Sequence, residues 1–139
     1  MFLYLNKVKR LFDLIVGFTL LVFLAVPMLL VVVSVRFTSK GASLYWSDRV
    51  GKNNTTFKMP KFRSMLINTP TIATHLLDDP DSYLTPIGVF LRRTSLDELP
   101  QLFSVLKGDM SFVGPRPALF NQDDLIELRT KKGVDSLLP

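Results

Sequence analysis

Two adjacent carboxylates, Asp97 and Glu98, stand between the paired arginines Arg92 and Arg93 and the turn Pro115-Arg116-Pro117. These residue types suit phosphate chemistry. Arginine offers a planar fork of donors to phosphate oxygens, and the flanking prolines fix the backbone around Arg116. A capped helix accounts for the acids as well: Ser95-Leu96-Asp97-Glu98 has capping-box spacing, and first-turn acids suit the positive end of a helix dipole. Consecutive arginines are more than a cap requires. Residue types alone leave both readings open.

The elements that would position these groups can be read from periodicity. Leu99, Leu102, Phe103 and Leu106 recur at i, i+3, i+4 and i+7, which predicts a helix with one apolar face. Lys107 and Gly108 mark its stop, and Pro100 belongs in its first turn, so it should start near Leu96 or Asp97. Ile87 to Arg93 predicts a short helix before it, and Asn121 to Lys132 a polar helix after the proline turn. Ser43–Tyr45 and Thr56–Met59 read as short strands around a Gly51-Lys52-Asn53-Asn54 turn, the second ended by Pro60. Residues 68 to 86 are loop-rich. Their acids Asp78, Asp79 and Asp81 fit a solvated turn around Pro80 better than a divalent-ion site, and the single histidine, His75, is given no catalytic role. The expected class is α/β, mostly α.

Leu14 to Val35 carries no formal charge and as a helix would be about 33 Å long, enough to cross a bilayer core. The run is too long for a signal peptide and no small-x-small cleavage site follows it cleanly. Both flanks are basic: Lys7, Lys9 and Arg10 before, Arg36, Lys40, Arg49 and Lys52 after. A simple span would put one cluster on the wrong side of the membrane. Pro27 offers a bend that would return the chain to the face it entered, and a mildly kinked span remains the alternative. The net charge of +5 therefore reflects bases beside a membrane segment rather than a nucleic-acid face. Cysteine is absent, which excludes disulfides. Residues 1–39 would form the membrane element and residues 40–139 a globular domain.

The stretch LRRTSLDELPQLFSVLKGDMSFVGPRP closely resembles the signature of the bacterial sugar transferases, the monotopic polyprenyl-phosphate phosphoglycosyltransferases. Lys9-Arg10-Leu11-Phe12-Asp13 resembles that family's basic entry to its membrane helix, and Pro27 its helix-breaking proline. Arg49-Val50-Gly51 and Phe57 to Met65 resemble further family blocks. The resemblance implies transfer of a sugar-1-phosphate from a nucleotide sugar, with uridine the expected base, to polyprenyl (undecaprenyl) phosphate. This step would initiate exopolysaccharide, capsule or other glycan synthesis on the cytoplasmic face of a bacterial inner membrane. Asp97 would be the nucleophile and would form an aspartyl-phosphosugar. Glu98 would hold Mg²⁺. Arg92 and Arg116 would bind phosphate oxygens, and Lys9 and Arg10 would meet phospholipid headgroups. Asp13 should pair with a nearby base. The membrane helix would be re-entrant, with both ends cytoplasmic.

Members of that family continue with a Gly-Ile-Thr-Gly run and amphipathic helices where this chain reaches Pro139, so a C-terminally truncated member is expected. An inactive membrane-anchored module binding lipid or a partner is the alternative, and a single-span anchor with an adaptor domain a third reading. The sugar, the pathway and the oligomeric state stay open.

Overall fold

The computed structural model describes residues 2–72 and 76–139, so His75 lies outside the described residues. The fold is mostly helical, with a single two-stranded sheet among the described residues. Helix α1 spans Phe2–Thr38 and stays helical through Pro27, whose missing N–H removes one bond, to the Phe23 carbonyl. By length and composition, Lys7–Thr38 can cross a membrane. Eight of its buried and half-buried positions form one stripe: Arg10, Asp13, Gly17, Leu21, Leu24, Met28, Val31 and Val35. These follow steps of three or four, one face of a helix. The opposite face is apolar and open, with Phe18, Phe23, Val26, Leu30 and Phe37 exposed.

Strands β1 (Leu44–Val50) and β2 (Thr56–Phe62) pair antiparallel, with Tyr45 opposite Lys61 and Trp46 opposite Pro60. Both run further than their composition predicts, and β2 passes through Pro60 instead of ending there. Arg63 N–H donates to Ser43 and Gly51 N–H to Thr55, so odd-numbered residues of β2 occupy the bonded pairs. Pro60 falls in a non-bonded pair, where no ladder bond needs its N–H. Asn53 and Asn54 turn the hairpin with left-handed φ of 53° and 56°, which asparagine tolerates better than most residues.

Helix α2 (Gly88–Thr94) follows the loop, as expected, and enters it through a backbone approach that only glycine allows. A Cβ on Gly88 would lie 2.0 Å from the Ser64 carbonyl oxygen. Helix α3 (Gln101–Lys107) stops at Gly108, whose φ of 101° suits glycine. Helix α4 (Asp123–Lys131) lies near the chain's end. The capping box is not formed: Ser95 has φ 56° and its N–H closes α2 on the Arg92 and Leu91 carbonyls. Asp97 and Glu98 sit instead in a separate 3-10 turn, Leu96–Glu98, with Pro100 at the start of α3. Asp78, Asp79 and Asp81 are exposed around a 3-10 turn at Pro80–Tyr83.

The main core joins Met28, Val31 and Val35 of α1 to Phe62 of β2 and Leu91 of α2. Full burial of each such side chain contributes about 1.5–3 kcal/mol. A second cluster, Met59, Val105 and Met110, holds β2 on α3. Where α1 crosses α3, a Cβ on Gly17 would come within 3.0 Å of Leu106, so the helices approach closely. Arg10 donates from both terminal nitrogens to the Val105 and Leu106 carbonyls in the last turn of α3. The guanidinium thus complements a helix C-terminus. Asp13 is 1 % exposed and accepts the Phe112 N–H at 3.2 Å. The expected ion pair for Asp13 is not what forms: among the described residues no base lies within ion-pair distance, and a backbone donor from beyond α3 takes that place.

Candidate active site

The 3-10 turn brings Asp97 to the wall of a cavity of about 720 Å³. Arg92 comes from the last turn of α2, and Lys61, Arg49, Ser47 and Tyr45 come from one face of the hairpin. Arg116 arrives because residues 118–120 pair along the free edge of β1. Val50 N–H donates to Ala118 at 2.9 Å and Phe120 N–H to Asp48 at 3.3 Å. The rigid Pro-Arg-Pro turn is thereby held beside Arg49, whose side chain donates to Ser47 Oγ at 3.0 Å and to the Pro117 carbonyl at 3.3 Å. Seven basic side chains line this cavity against one carboxylate, that of Asp97, among the described residues. Such a balance favours a multiply charged anion.

The two adjacent acids occupy different environments. Asp97 is 7 % exposed. Burial raises its pKa, the Lys61 charge opposes that, Glu98 adds to it, and Arg92 and its own backbone N–H oppose it. The net direction is upward. Glu98 lines a smaller adjoining cavity of about 280 Å³ with Arg116, Gln101 and Met110. Burial pushes Glu98 up too, but a 2.6 Å ion pair with Lys61, the Arg116 charge and a Gln101 hydrogen bond outweigh it. Its pKa is therefore lowered. Adjacent carboxylates with opposed shifts are a mark of divided roles. Arg49 is also shifted, downward, by burial and by the neighbouring Arg116 charge.

Asp97, Glu98, Arg92 and Arg116, all singled out from sequence, thus come together. Arg93 does not; it is exposed on the other side of α2 and lines neither cavity. Lys61 was given no role from sequence. It lies 37 residues before Glu98 and reaches it only through the hairpin register, which no local pattern encodes.

A profile for the bacterial sugar transferases matches residues 4–136, and the chain belongs to that family. It is 39% identical over 129 residues to an undecaprenyl-phosphate galactose phosphotransferase of Salmonella typhimurium, covering 82% of this chain and 27% of the relative. It is 43% identical over 112 residues to a putative undecaprenyl-phosphate N-acetylgalactosaminyl 1-phosphate transferase of Bacillus subtilis, covering 79% and 62%. A UDP-glucose:undecaprenyl-phosphate glucose-1-phosphate transferase of Klebsiella pneumoniae is 42% identical over 109 residues, covering 78% and 23%. The chain therefore spans between about a quarter and three fifths of the length of these relatives.

Proposed function

We propose that this chain carries the catalytic centre of a polyprenyl-phosphate phosphoglycosyltransferase that uses a uridine diphosphosugar. The observation that carries this reading is the buried Asp97 carboxylate, the one acid among the described residues that line a cavity with seven basic side chains. An Asp97 oxygen attacks the β-phosphorus of the nucleotide sugar. A new carboxylate–phosphorus bond forms, the bond to the bridging oxygen breaks, and nucleoside monophosphate leaves with that oxygen. A phosphate oxygen of the polyprenyl phosphate then attacks the same phosphorus and restores the free carboxylate. Arg92 and Arg116 hold the phosphate oxygens and stabilise charge as it develops. Lys61 fixes the Glu98 carboxylate and lowers the ionisation cost of Asp97.

The donor set suits Mg²⁺, which binds through one or two carboxylates together with substrate phosphates. Glu98, with a half-exposed carboxylate facing the smaller cavity, would hold it. The ion would neutralise the diphosphate.

The stripe on α1 supports a membrane arrangement. From Arg10 to Val35 one face lies on the domain, about 37 Å of helix. A free perpendicular span would draw α3 and the hairpin into hydrocarbon with it. A helix held against the domain, its apolar outer face in lipid and both ends on the cytoplasmic side, leaves the cavity in water at the bilayer edge. Phospholipid then contacts Phe18, Phe23 and Leu30.

Purified protein in vesicles, given labelled UDP-glucose, Mg²⁺ and undecaprenyl phosphate, should release UMP and form a labelled lipid diphosphate. Substitution Asp97→Asn should abolish both. UMP release that survives the substitution would refute the assignment of the nucleophile.

A further inference from the structure

One buried guanidinium is not accounted for by the site just described. Arg129, on α4, is 6 % exposed. Its Nη2 donates to the Gly51 carbonyl at 3.2 Å, while Nε and Nη1 are buried without a hydrogen-bond partner. No acid among the described residues pairs with it. Unmet buried donors are rare in folded proteins and mark a place where a partner belongs. Asn54 Oδ1 is unpartnered as well, but Asn54 does not line the cavity, whereas Arg129 does.

Arg129 and Asp97 face different ends of that one cavity. Arg129 is bonded to Gly51 at the turn of the hairpin, and Lys61, beside Asp97, lies near its open end. Strand rise puts these points about 20 Å apart, a gap that the side chains shorten. A phosphate at Arg129 would thus be too far from Asp97 to be the one transferred. The walls differ too. Leu125 and Leu128 share α4 with Arg129, and Val134 N–H donates back to the Arg129 carbonyl at 3.0 Å; all three line the cavity. A planar heterocycle with carbonyl acceptors on its edge satisfies both the apolar walls and the free donors.

We infer that Arg129 reads the base of the nucleotide donor, donating to pyrimidine carbonyl oxygens while the diphosphate reaches Asp97. The assignment rests on the reading of the cavity as the donor site. Uracil presents an acceptor at position 4 where cytosine presents an amino group. A guanidinium can only donate, so facing the position-4 edge it bonds the uracil oxygen there but meets the cytosine amino group as donor against donor. Arg129 is a specificity-determining residue in this role.

Binding of UMP and CMP to the full chain in detergent tests this. Wild-type protein should prefer UMP by at least about tenfold. Arg129→Gln, whose amide both donates and accepts, should bring that preference close to one, and Arg129→Lys should keep part of it. A folded Arg129→Gln protein with the wild-type preference would overturn the inference and leave the donor site standing. So would a variant weakened only toward UDP-glucose, which would assign Arg129 to the sugar. Wild-type protein binding neither nucleotide would remove the donor-site reading itself and the inference with it. If Arg129→Gln does not fold, protection of wild-type Arg129 from phenylglyoxal by UMP but not by CMP supports the inference. Equal protection, or none, overturns it.

Discussion

Two buried aspartates, Asp13 and Asp97, divide the molecule into a seam that holds and a site proposed to react. Asp13 lies between α1 and the segment after α3, accepts the Phe112 N–H and lines neither of the two cavities described above. Asp97 is nearly as buried, but it lines a cavity with seven basic side chains, and its burial raises its pKa. A backbone donor bound to one carboxylate gives a structural tie. An open cavity beside the other leaves room for a phosphorus atom. Burial alone therefore does not identify a catalytic acid; what it faces does.

Substitutions should separate the two regions. Asp97→Asn should reduce turnover by roughly 10⁴-fold or more, measured as UMP release. Its thermal midpoint at pH 7 should not fall. The folded-state pKa of Asp97 lies above its unfolded value, so its ionisation weakens the fold as pH rises through that range, and the amide removes this penalty. A large loss of stability would place Asp97 with the seam.

Lys61→Met should lower turnover by roughly 10–100-fold, the usual cost of removing a partner that orients a ligating carboxylate. It should also move the acid limb of the pH–rate profile upward, because the Lys61 charge opposes protonation of both Asp97 and Glu98. A profile that does not move would detach Lys61 from the acidic pair.

In the seam, Asp13→Ala should cost about 1–3 kcal/mol by leaving the Phe112 N–H unmet, seen in denaturant unfolding in detergent. Turnover per folded molecule should be nearly retained. Arg10→Leu should have a smaller effect, about 0.5–2 kcal/mol, through the uncapped end of α3. Either variant losing turnover while keeping its stability would blur the division.

The two regions also differ in what the sequence discloses. The glycine stop of α3, the position of α4 and the apolar run within α1 follow from local period and composition and appear in the structure, although α1 extends to Phe2 and Phe103 of the expected α3 face is exposed. So does the gathering of Asp97, Glu98, Arg92 and Arg116, because three of the four lie within seven residues and a proline turn carries the fourth. The partners of Asp13, Arg10, Lys61 and Arg129 were not legible. Each depends on contacts made across 37 to 99 residues of chain, which packing decides and local spacing does not. Ser95 was misread for a related reason: its left-handed backbone serves the end of α2 rather than the start of α3. Pro60 was taken as a strand end because pairing parity is invisible before the register is known.

The central claim is that the Asp97 carboxylate forms a covalent bond to phosphorus. Mass spectrometry of the intact protein, quenched after incubation with UDP-glucose and Mg²⁺ without a polyprenyl phosphate, measures it most directly. A mass increase of one hexose phosphate, mapped to Asp97 and lost in Asp97→Asn, is the predicted result. An adduct on another residue, or nucleotide turnover with no adduct at any quench time, would contradict it.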